Sequence, residues 1–288
     1  MKTIIFFLQG GIGKHIAATA VAENINKNFP DRKLIVLCAY PEIFLNNPFV
    51  YRTYRFSSSQ YFYEDFIKDK DTIFLGHDVY NSNEYIVQNK HIIESWCNTF
   101  GLNYNGENPK IFINEAEFID VKSKYLREKP ILILQSQGGA EGNSAYHWAR
   151  DLPQEFTFDI INILKEKYHI FHIKRPEHAT YANVEPIFLN VRETISLLIL
   201  SQKRLLIDSF LQHAAAALNL PSTVCWIGTK PEKLGYNIHN NILPELDSKI
   251  FSHNLEGILM EKEFIGIPHQ CDINLNKLFN KDKILKNF

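Results

Sequence analysis

Two short apolar runs that each end in a glycine turn constrain this chain more than any other feature of its sequence. The first is Ile4–Leu8, followed by Gln9-Gly10-Gly11-Ile12-Gly13, and the second is Ile131–Leu134, followed by Gln135-Ser136-Gln137-Gly138-Gly139. A buried strand that passes through a glycine turn into a helix is the opening of a βαβ unit. The sequence therefore predicts two separate α/β units.

The segments after each turn continue the alternation of helix and strand. A helix is predicted over Lys14–Ile25 and a strand over Leu34–Leu37. The second half adds predicted helices at 154–167 and 191–201 and predicted strands at 169–173 and 205–207. A stretch rich in Asn, Glu and Lys, 103–129, separates the halves. We therefore expect two Rossmann-like α/β domains, 1–129 and 130–288, which face a central cleft at the carboxyl ends of their strands. A helical tail is expected to end the second domain.

Composition and charge exclude several classes of protein. Of the 288 residues, 45% are hydrophobic and 22% are charged, which is typical of a globular chain and not of a disordered one. The net charge of −1 does not support a nucleic-acid partner. No apolar run reaches the ~18 residues of a membrane span, and the four cysteines form no C-x-x-C pair. These features predict a soluble protein of the reducing cytoplasm.

The segment from Arg204 to Pro221 carries the clearest candidate binding site. A predicted strand ends at Ile207 and a helix begins at once. Ser209, followed three residues later by Gln212, is a capping-box pattern, which predicts that these side chains satisfy the first backbone donors of that helix. The remaining N–H groups and the partial positive charge of a helix start favour phosphate. His213 is expected one turn further along the same face.

This segment also resembles a known family. The run Asp208-Ser209-Phe210-Leu211-Gln212-His213, the alanines that follow and Trp226-Ile227-Gly228-Thr229-Lys230-Pro231 resemble the carboxy-terminal signature of the family 9 glycosyltransferases, which are heptosyltransferase-like enzymes. Residues 135–139 and 148–153 look like the first strand end and the Trp-bearing loop of the family's nucleotide domain. Lys174-Arg175-Pro176-Glu177 follows the next strand, where the family has residues that touch the nucleotide. The resemblance spans most of the chain, although only 208–231 is specific.

The resemblance implies an architecture and an activity. It implies the two-domain GT-B fold and metal-independent, inverting transfer of a sugar from a nucleoside-diphosphate sugar, typically ADP-heptose, to a hydroxyl group of a glycan such as the lipopolysaccharide core. It further implies a partner at the membrane periphery, no cofactor and no metal, and the sequence has no D-x-D triplet. The donor-binding residues that it implies are Gln137, Gly138, Gly139, Lys174, Arg175, Glu177, Asp208, Ser209, Phe210, Gln212 and His213.

The amino-terminal glycine loop departs from the family pattern. The family reads Gly-x-Gly-Asp, with the Asp as general base, whereas this chain reads Gly11-Ile12-Gly13-Lys14. An ordinary lysine is protonated at neutral pH and cannot accept the proton of a hydroxyl group. Several interpretations stay open: burial lowers the pKa of Lys14 until it serves as the base; or Lys14 binds an anionic group while His15, Asp78, His77 or Asp65 is the base; or transfer is lost and only nucleotide-sugar binding remains.

The same loop suggests a rival function. With Gly10, Gly11 and Gly13 before Lys14, it resembles the deviant phosphate loop of partition-type ATPases. The leading Lys of that motif is Gln9 here, and the Mg²⁺-binding hydroxyl group is replaced by His15. A phosphate-loop ATPase also leaves the 208–231 signature unexplained, so it is the less favoured alternative.

Overall fold

The chain is described here by a computed structural model that covers residues 2–56, 60–87, 90–139, 146–245 and 275–288. It divides into two compact units, Met1–Asn114 (unit 1) and Glu115–Phe288 (unit 2). Each unit is built around a parallel sheet. The predicted α/β class with two Rossmann-like units is therefore confirmed, and the predicted cleft between them stays a prediction.

Unit 1 consists of a parallel sheet with helices on both faces. Its described elements are β1 (Lys2–Leu8), α1 (Ile12–Asn28), β2 (Lys33–Cys38), β3 (Arg52–Arg55), α2 (Phe62–Phe66), β4 (Asp71–Leu75), α3 (Asn83–Ile86) and α4 (Ile92–Thr99). Alternate residues of β1 point to opposite faces. Phe6 meets Trp96 of α4 edge to face, while the neighbouring Ile5 packs with Phe62 and Phe66 of α2. Both faces of the sheet are thereby covered at its central strand β1.

Unit 2 repeats this plan at larger size. Its described elements are α5 (Glu115–Tyr125), β5 (Ile131–Leu134), α6 (Gln154–Leu164), β6 (His169–Ile173), β7 (Glu185–Ile187), α7 (Val191–Leu200), β8 (Lys203–Ile207), α8 (Phe210–Ala217), β9 (Thr223–Cys225), α9 (Pro231–Leu234), β10 (Asn240–Ile242) and α10 (Lys281–Leu285). Leu132 and Leu134 of β5 pack with Phe156 of α6 in a single apolar core. Tyr125 of α5 contacts the ring of Phe171 on β6.

The strand order fixes where each unit can bind a ligand. The described strands of unit 1 lie in the order β3-β2-β1-β4, and those of unit 2 in the order β10-β9-β8-β5-β6-β7. Read from the first strand of its unit, the second order is that of the Rossmann fold. In each unit the second and third strands lie on one side of the first strand, and the fourth lies on its other side. The loops after the first and fourth strands therefore run to opposite sides, which leaves a switch point between β1 and β4 and another between β5 and β8. Such switch points, at the carboxyl ends of the strands, are where these folds bind ligands.

The border between the units differs from the predicted one. The structure separates Asn114 from Glu115, whereas the sequence predicts a border at 129/130. The reason is α5, which packs on α7 and joins it through the ion pair of Glu117 with Arg192. The polar composition of this stretch concealed a helix with few buried residues.

The described part of the predicted helical tail lies in the core of unit 2. Leu278, Phe279 and Ile284 are buried there, and Phe279 contacts Phe156 of α6. Asn274, at the start of that tail, lies outside the described residues. Among the helices of the described ranges, none is long and apolar enough to cross a membrane.

The ion pair between Glu117 and Arg192 allows the placement of α5 in unit 2 to be tested by a stability measurement. Arg192 is almost buried, and its Nη2 donates to Glu117 Oε2 over 2.7 Å while its Nε donates to Oε1. Glu117→Gln leaves that guanidinium without its charged partner, so we expect the free energy of unfolding in urea to fall by about 1–3 kcal/mol. Asp120→Asn on the same helix breaks only an exposed i,i+4 pair with Lys124 and should leave the unfolding midpoint unchanged. Equal effects of the two changes would contradict the docking of α5 on unit 2.

Candidate functional site

The switch point of unit 2 brings together two predicted segments. Gln135, the first residue after β5, donates through Nε2 to Oγ of Ser209, the second residue after β8, over 3.1 Å. A Cβ atom added to Gly138 would lie 3.2 Å from both Ser209 Oγ and Arg150 Cδ. The absence of a side chain at Gly138 is therefore what lets Arg150 and the start of α8 approach this loop. Gly139 has φ +111°, a backbone conformation that favours glycine.

A buried carboxylate shapes the same loop. Asp151 Oδ1 accepts a hydrogen bond from the Gly138 N–H over 3.0 Å, and Oδ2 accepts one from the His147 N–H over 2.7 Å. The Gly138 amide is thereby used within the protein and is not left for a phosphate group. Burial raises the pKa of Asp151 to about 6, although both amide hydrogen bonds act in the opposite direction.

The remaining predicted residues near β5 and β6 have partners inside unit 2. Gln137 Oε1 accepts from the Ala179 N–H over 2.6 Å. Lys174, which is almost buried, donates to Thr180 Oγ1 over 2.7 Å, while Arg175 and Glu177 lie 4.0 Å apart at the surface. The loops after β5 and β6 are thus tied to each other, as expected for strands that pair directly.

The predicted capping box at α8 is wrong. Ser209 is the N-cap residue, but its side chain does not cap the helix, because Oγ is occupied by Gln135. Gln212 is completely buried and donates to the Leu234 carbonyl over 3.0 Å. The sequence pattern identified the helix start correctly, but a tertiary contact outcompeted the local one.

His213, whose role toward a ligand stays a prediction, has a partner within unit 2. Its Nδ1 is 2.8 Å from the hydroxyl group of Tyr236, the two rings meet edge to face, and only 6% of the residue is exposed. It therefore helps to fix α8 against the segment after α9. Asp208 accepts from the Thr229 hydroxyl group, and burial raises its pKa. Phe210, the first residue of α8, is half-buried.

In unit 1, Lys14 and Asp78 meet at the switch point between β1 and β4. Gly10 has φ +103°, and a Cβ atom there would lie 2.9 Å from Lys14 Cδ, so the lysine side chain folds back over the loop. Lys14 Nζ lies 2.7 Å from Asp78 Oδ1. Burial lowers the pKa of Lys14, and the contact with Asp78 acts against that shift. α1 already begins at Ile12, so Gly13 lies in its first turn rather than in the loop.

His15 is a structural residue. It is completely buried, its Nδ1 lies 2.9 Å from the Gly11 carbonyl oxygen, and its Nε2 accepts from the Ala39 N–H over 3.2 Å. Because Nε2 accepts, Nδ1 carries the proton and the ring is neutral; burial lowers its pKa to about 4. His15 thus ties the glycine loop to the end of β2 and has no lone pair left for a substrate, which contradicts its assignment as a candidate base.

Arg150, Asp151, Tyr80 and Trp96 were missed as site residues. The first two lie in the middle of the Trp148–Pro153 motif, so their residue types were visible, but their contacts depend on the fold of the loop after β5. The ring centroids of Tyr80 and Trp96 lie 4.8 Å and 5.5 Å from Lys14 Nζ, respectively. Nothing in the sequence links them to Lys14. The open candidates Asp65 and His77 lie on α2 and in the loop after β4.

Solved structures share this architecture. A glycosyltransferase of family 9 from Veillonella parvula DSM 2008 superposes with a TM-score of 0.69 and 13% identity, over 99% of this chain and 95% of that one. The chain has the fold of the family 9 glycosyltransferases. The ADP-heptose lipopolysaccharide heptosyltransferase II of Escherichia coli follows with a TM-score of 0.60 and 11% identity, over 84% of this chain and 90% of that one. No family model and no curated protein matches the sequence.

One relative corrects the expectation about metals. The heptosyltransferase TibC of enterotoxigenic E. coli H10407, solved with ADP-D-β-D-heptose, superposes with a TM-score of 0.68 and 12% identity, over 99% of this chain and 74% of that one, and is described as iron-containing and dodecameric. The expectation that this fold works without a metal is therefore wrong. Across the described ranges of the present chain, no group of three or more His, Cys, Asp or Glu side chains could hold an ion, so these residues do not fit such a centre.

The buried Asp151 carboxylate predicts a pH dependence of stability. Its pKa is about 6 in the folded chain and about 3.8 when exposed, so the folded state binds the proton more tightly. Its contribution to stability is complete below about pH 4 and is lost as the pH rises through 6. Relative to Asp151→Asn, the wild type should lose about 2–3 kcal/mol of unfolding free energy between pH 4 and pH 7. Urea unfolding at several pH values measures this difference, and a relative gain with rising pH would contradict it.

Proposed function

We propose that the chain is a glycosyltransferase that moves a sugar from a nucleoside-diphosphate sugar to a hydroxyl group of a glycan, with inversion at the anomeric carbon. The observation that carries this proposal is the switch point of unit 2, where Arg150 and the start of α8 adjoin the Gly138 loop. Inversion follows from a single displacement, in which the acceptor oxygen attacks the anomeric carbon opposite the leaving diphosphate.

The site chemistry suits a diphosphate. The N-terminus of α8 directs backbone N–H groups and a partial positive charge to the carboxyl ends of β5 and β8. Arg150 adds a guanidinium group, whose forked donors match phosphate oxygens. Positive groups held in place stabilise the negative charge that develops on the leaving diphosphate.

An ADP-heptose-like donor and a glycan acceptor of the lipopolysaccharide type are the substrates that we propose. The heptosyltransferase relatives with this fold support the donor, since one of them was solved with ADP-D-β-D-heptose. The acceptor class is inferred from the family resemblance and from the structural relative named ADP-heptose lipopolysaccharide heptosyltransferase II.

Two other functions are compared with this one. A nucleotide-sugar-binding protein without transfer is favoured by one observation, namely Lys14 at the position where the family has its base. A deviant phosphate-loop ATPase is disfavoured, because the buried ring of His15 occupies the position of the required hydroxyl group and is held by backbone atoms on both sides.

Nucleotide binding tests the donor site. We expect ADP to bind the full chain in a calorimetric titration and Arg150→Gln to weaken that binding about 10- to 100-fold, because a charge-assisted contact with phosphate is lost. Arg127→Gln is the matched control, since Arg127 pairs with Glu185 at the amino end of β7. The proposal fails if no nucleoside diphosphate binds or if both variants lose affinity equally.

Turnover separates the three functions. A transferase releases ADP from ADP-heptose in the presence of a lipopolysaccharide acceptor and attaches the sugar to that acceptor, as followed by chromatography and mass spectrometry. A binding protein shows ADP affinity without release. A phosphate-loop ATPase hydrolyses ATP with Mg²⁺ and loses this activity in Lys14→Ala.

A further inference from the structure

The Lys14 side chain is buried among described residues of unit 1. Its side chain is 4% exposed, its methylene groups lie over Gly10, and its Nζ lies 4.8 Å from the ring centroid of Tyr80 and 5.5 Å from that of Trp96. Both distances are in the range of cation–π contacts. The ammonium group is therefore held inside unit 1 and is not presented to a substrate.

Asp78 is the open member of the pair. Its side chain is 43% exposed, and it follows β4, the strand next to β1. Oδ1 accepts both from Lys14 Nζ over 2.7 Å and from the Tyr80 N–H over 3.1 Å. Both hydrogen bonds described for this carboxylate thus fall on one oxygen, which leaves Oδ2 for a donor from outside.

The charges of the pair explain why the two residues occur together. A buried ammonium group without a counterion is costly, so Lys14 requires the Asp78 carboxylate. In return, Lys14 and the Tyr80 N–H fix the orientation of that carboxylate. An ionised carboxylate accepts a proton, whereas an ammonium group does not.

We propose that Asp78 is the general base of the transfer reaction and that Lys14 is its positioning residue. The inference rests on the proposed function. Asp78 Oδ2 takes the proton of the acceptor hydroxyl group as the acceptor oxygen bonds to the anomeric carbon. The bond between that carbon and the diphosphate oxygen breaks, and the diphosphate leaves with the electron pair. The proton passes from the exposed carboxylate to solvent. The base therefore comes from the loop after β4, while the first turn of α1 supplies its counterion.

Asp78→Asn tests the base directly. We expect kcat to fall at least 100-fold, in the range typical of a lost general base, while the affinity for ADP changes less than 3-fold because the donor contacts are in unit 2. Lys14→Met/Asp78→Asn should be equally inactive, and it folds without an unpaired buried charge. Asp31→Asn is the matched control, since Asp31 forms a 2.8 Å pair with Lys2 in which both side chains are exposed, and its kcat should stay within 2-fold.

Two further variants test the role of Lys14. Lys14→Met keeps the carboxylate, so at least one-tenth of kcat should remain. The exchange Lys14→Asp/Asp78→Lys keeps one lysine and one carboxylate in the pair but swaps their positions. We expect its kcat to be at least 10-fold higher than that of Asp78→Asn.

The outcomes separate this inference from the proposed function. If the wild type transfers sugar and Asp78→Asn keeps more than one-third of its kcat, Asp78 is not the base although the function stands. If Lys14→Met is inactive while Asp78→Asn is active, the roles are reversed and the inference is overturned. If the wild type binds ADP and transfers to no acceptor, the proposed transfer fails, and the inference fails with it.

Discussion

The order of parallel strands is the constraint on which both candidate sites depend. In each unit the second and third strands are added on one side of the first strand, and the fourth strand is added on its other side. Loops that follow the two central strands must then diverge, and this leaves an opening at the carboxyl ends of the strands. Gln135 and Ser209 meet at one such opening, and Lys14 and Asp78 meet at the other.

Both openings are lined by side chains whose geometry is set by contacts within the protein. Asp151 uses its two oxygens to hold the Gly138 loop, and the neutral ring of His15 holds the glycine loop of unit 1. Preorganisation of this kind lets a site bind charged groups without rearranging at the moment of reaction. The residues that present charge to a ligand in our account, Arg150 and Asp78, are distinct from the residues that shape the loops.

The sequence predicted the fold well because local patterns determine it. Apolar runs before glycine turns identified β1 and β5, and the helix start at Ser209 was correct. The site was predicted only in part, because its contacts join residues far apart in the chain. The contact of Gln135 with Ser209 replaces the predicted capping box. The contact of His213 with Tyr236 could not be read from the sequence either, and the role of His213 toward a ligand stays a prediction. The border at Asn114 was missed because α5 exposes most of its surface and has little apolar signal.

A crystal structure of the chain with ADP tests the central claim most directly, namely that the nucleotide site lies at the switch point of unit 2. We expect the diphosphate at the carboxyl ends of β5 and β8, within hydrogen-bonding distance of the Arg150 guanidinium group and of backbone N–H groups at the start of α8. A diphosphate bound instead by the Gly10–Gly13 loop and Lys14 of unit 1 would contradict it.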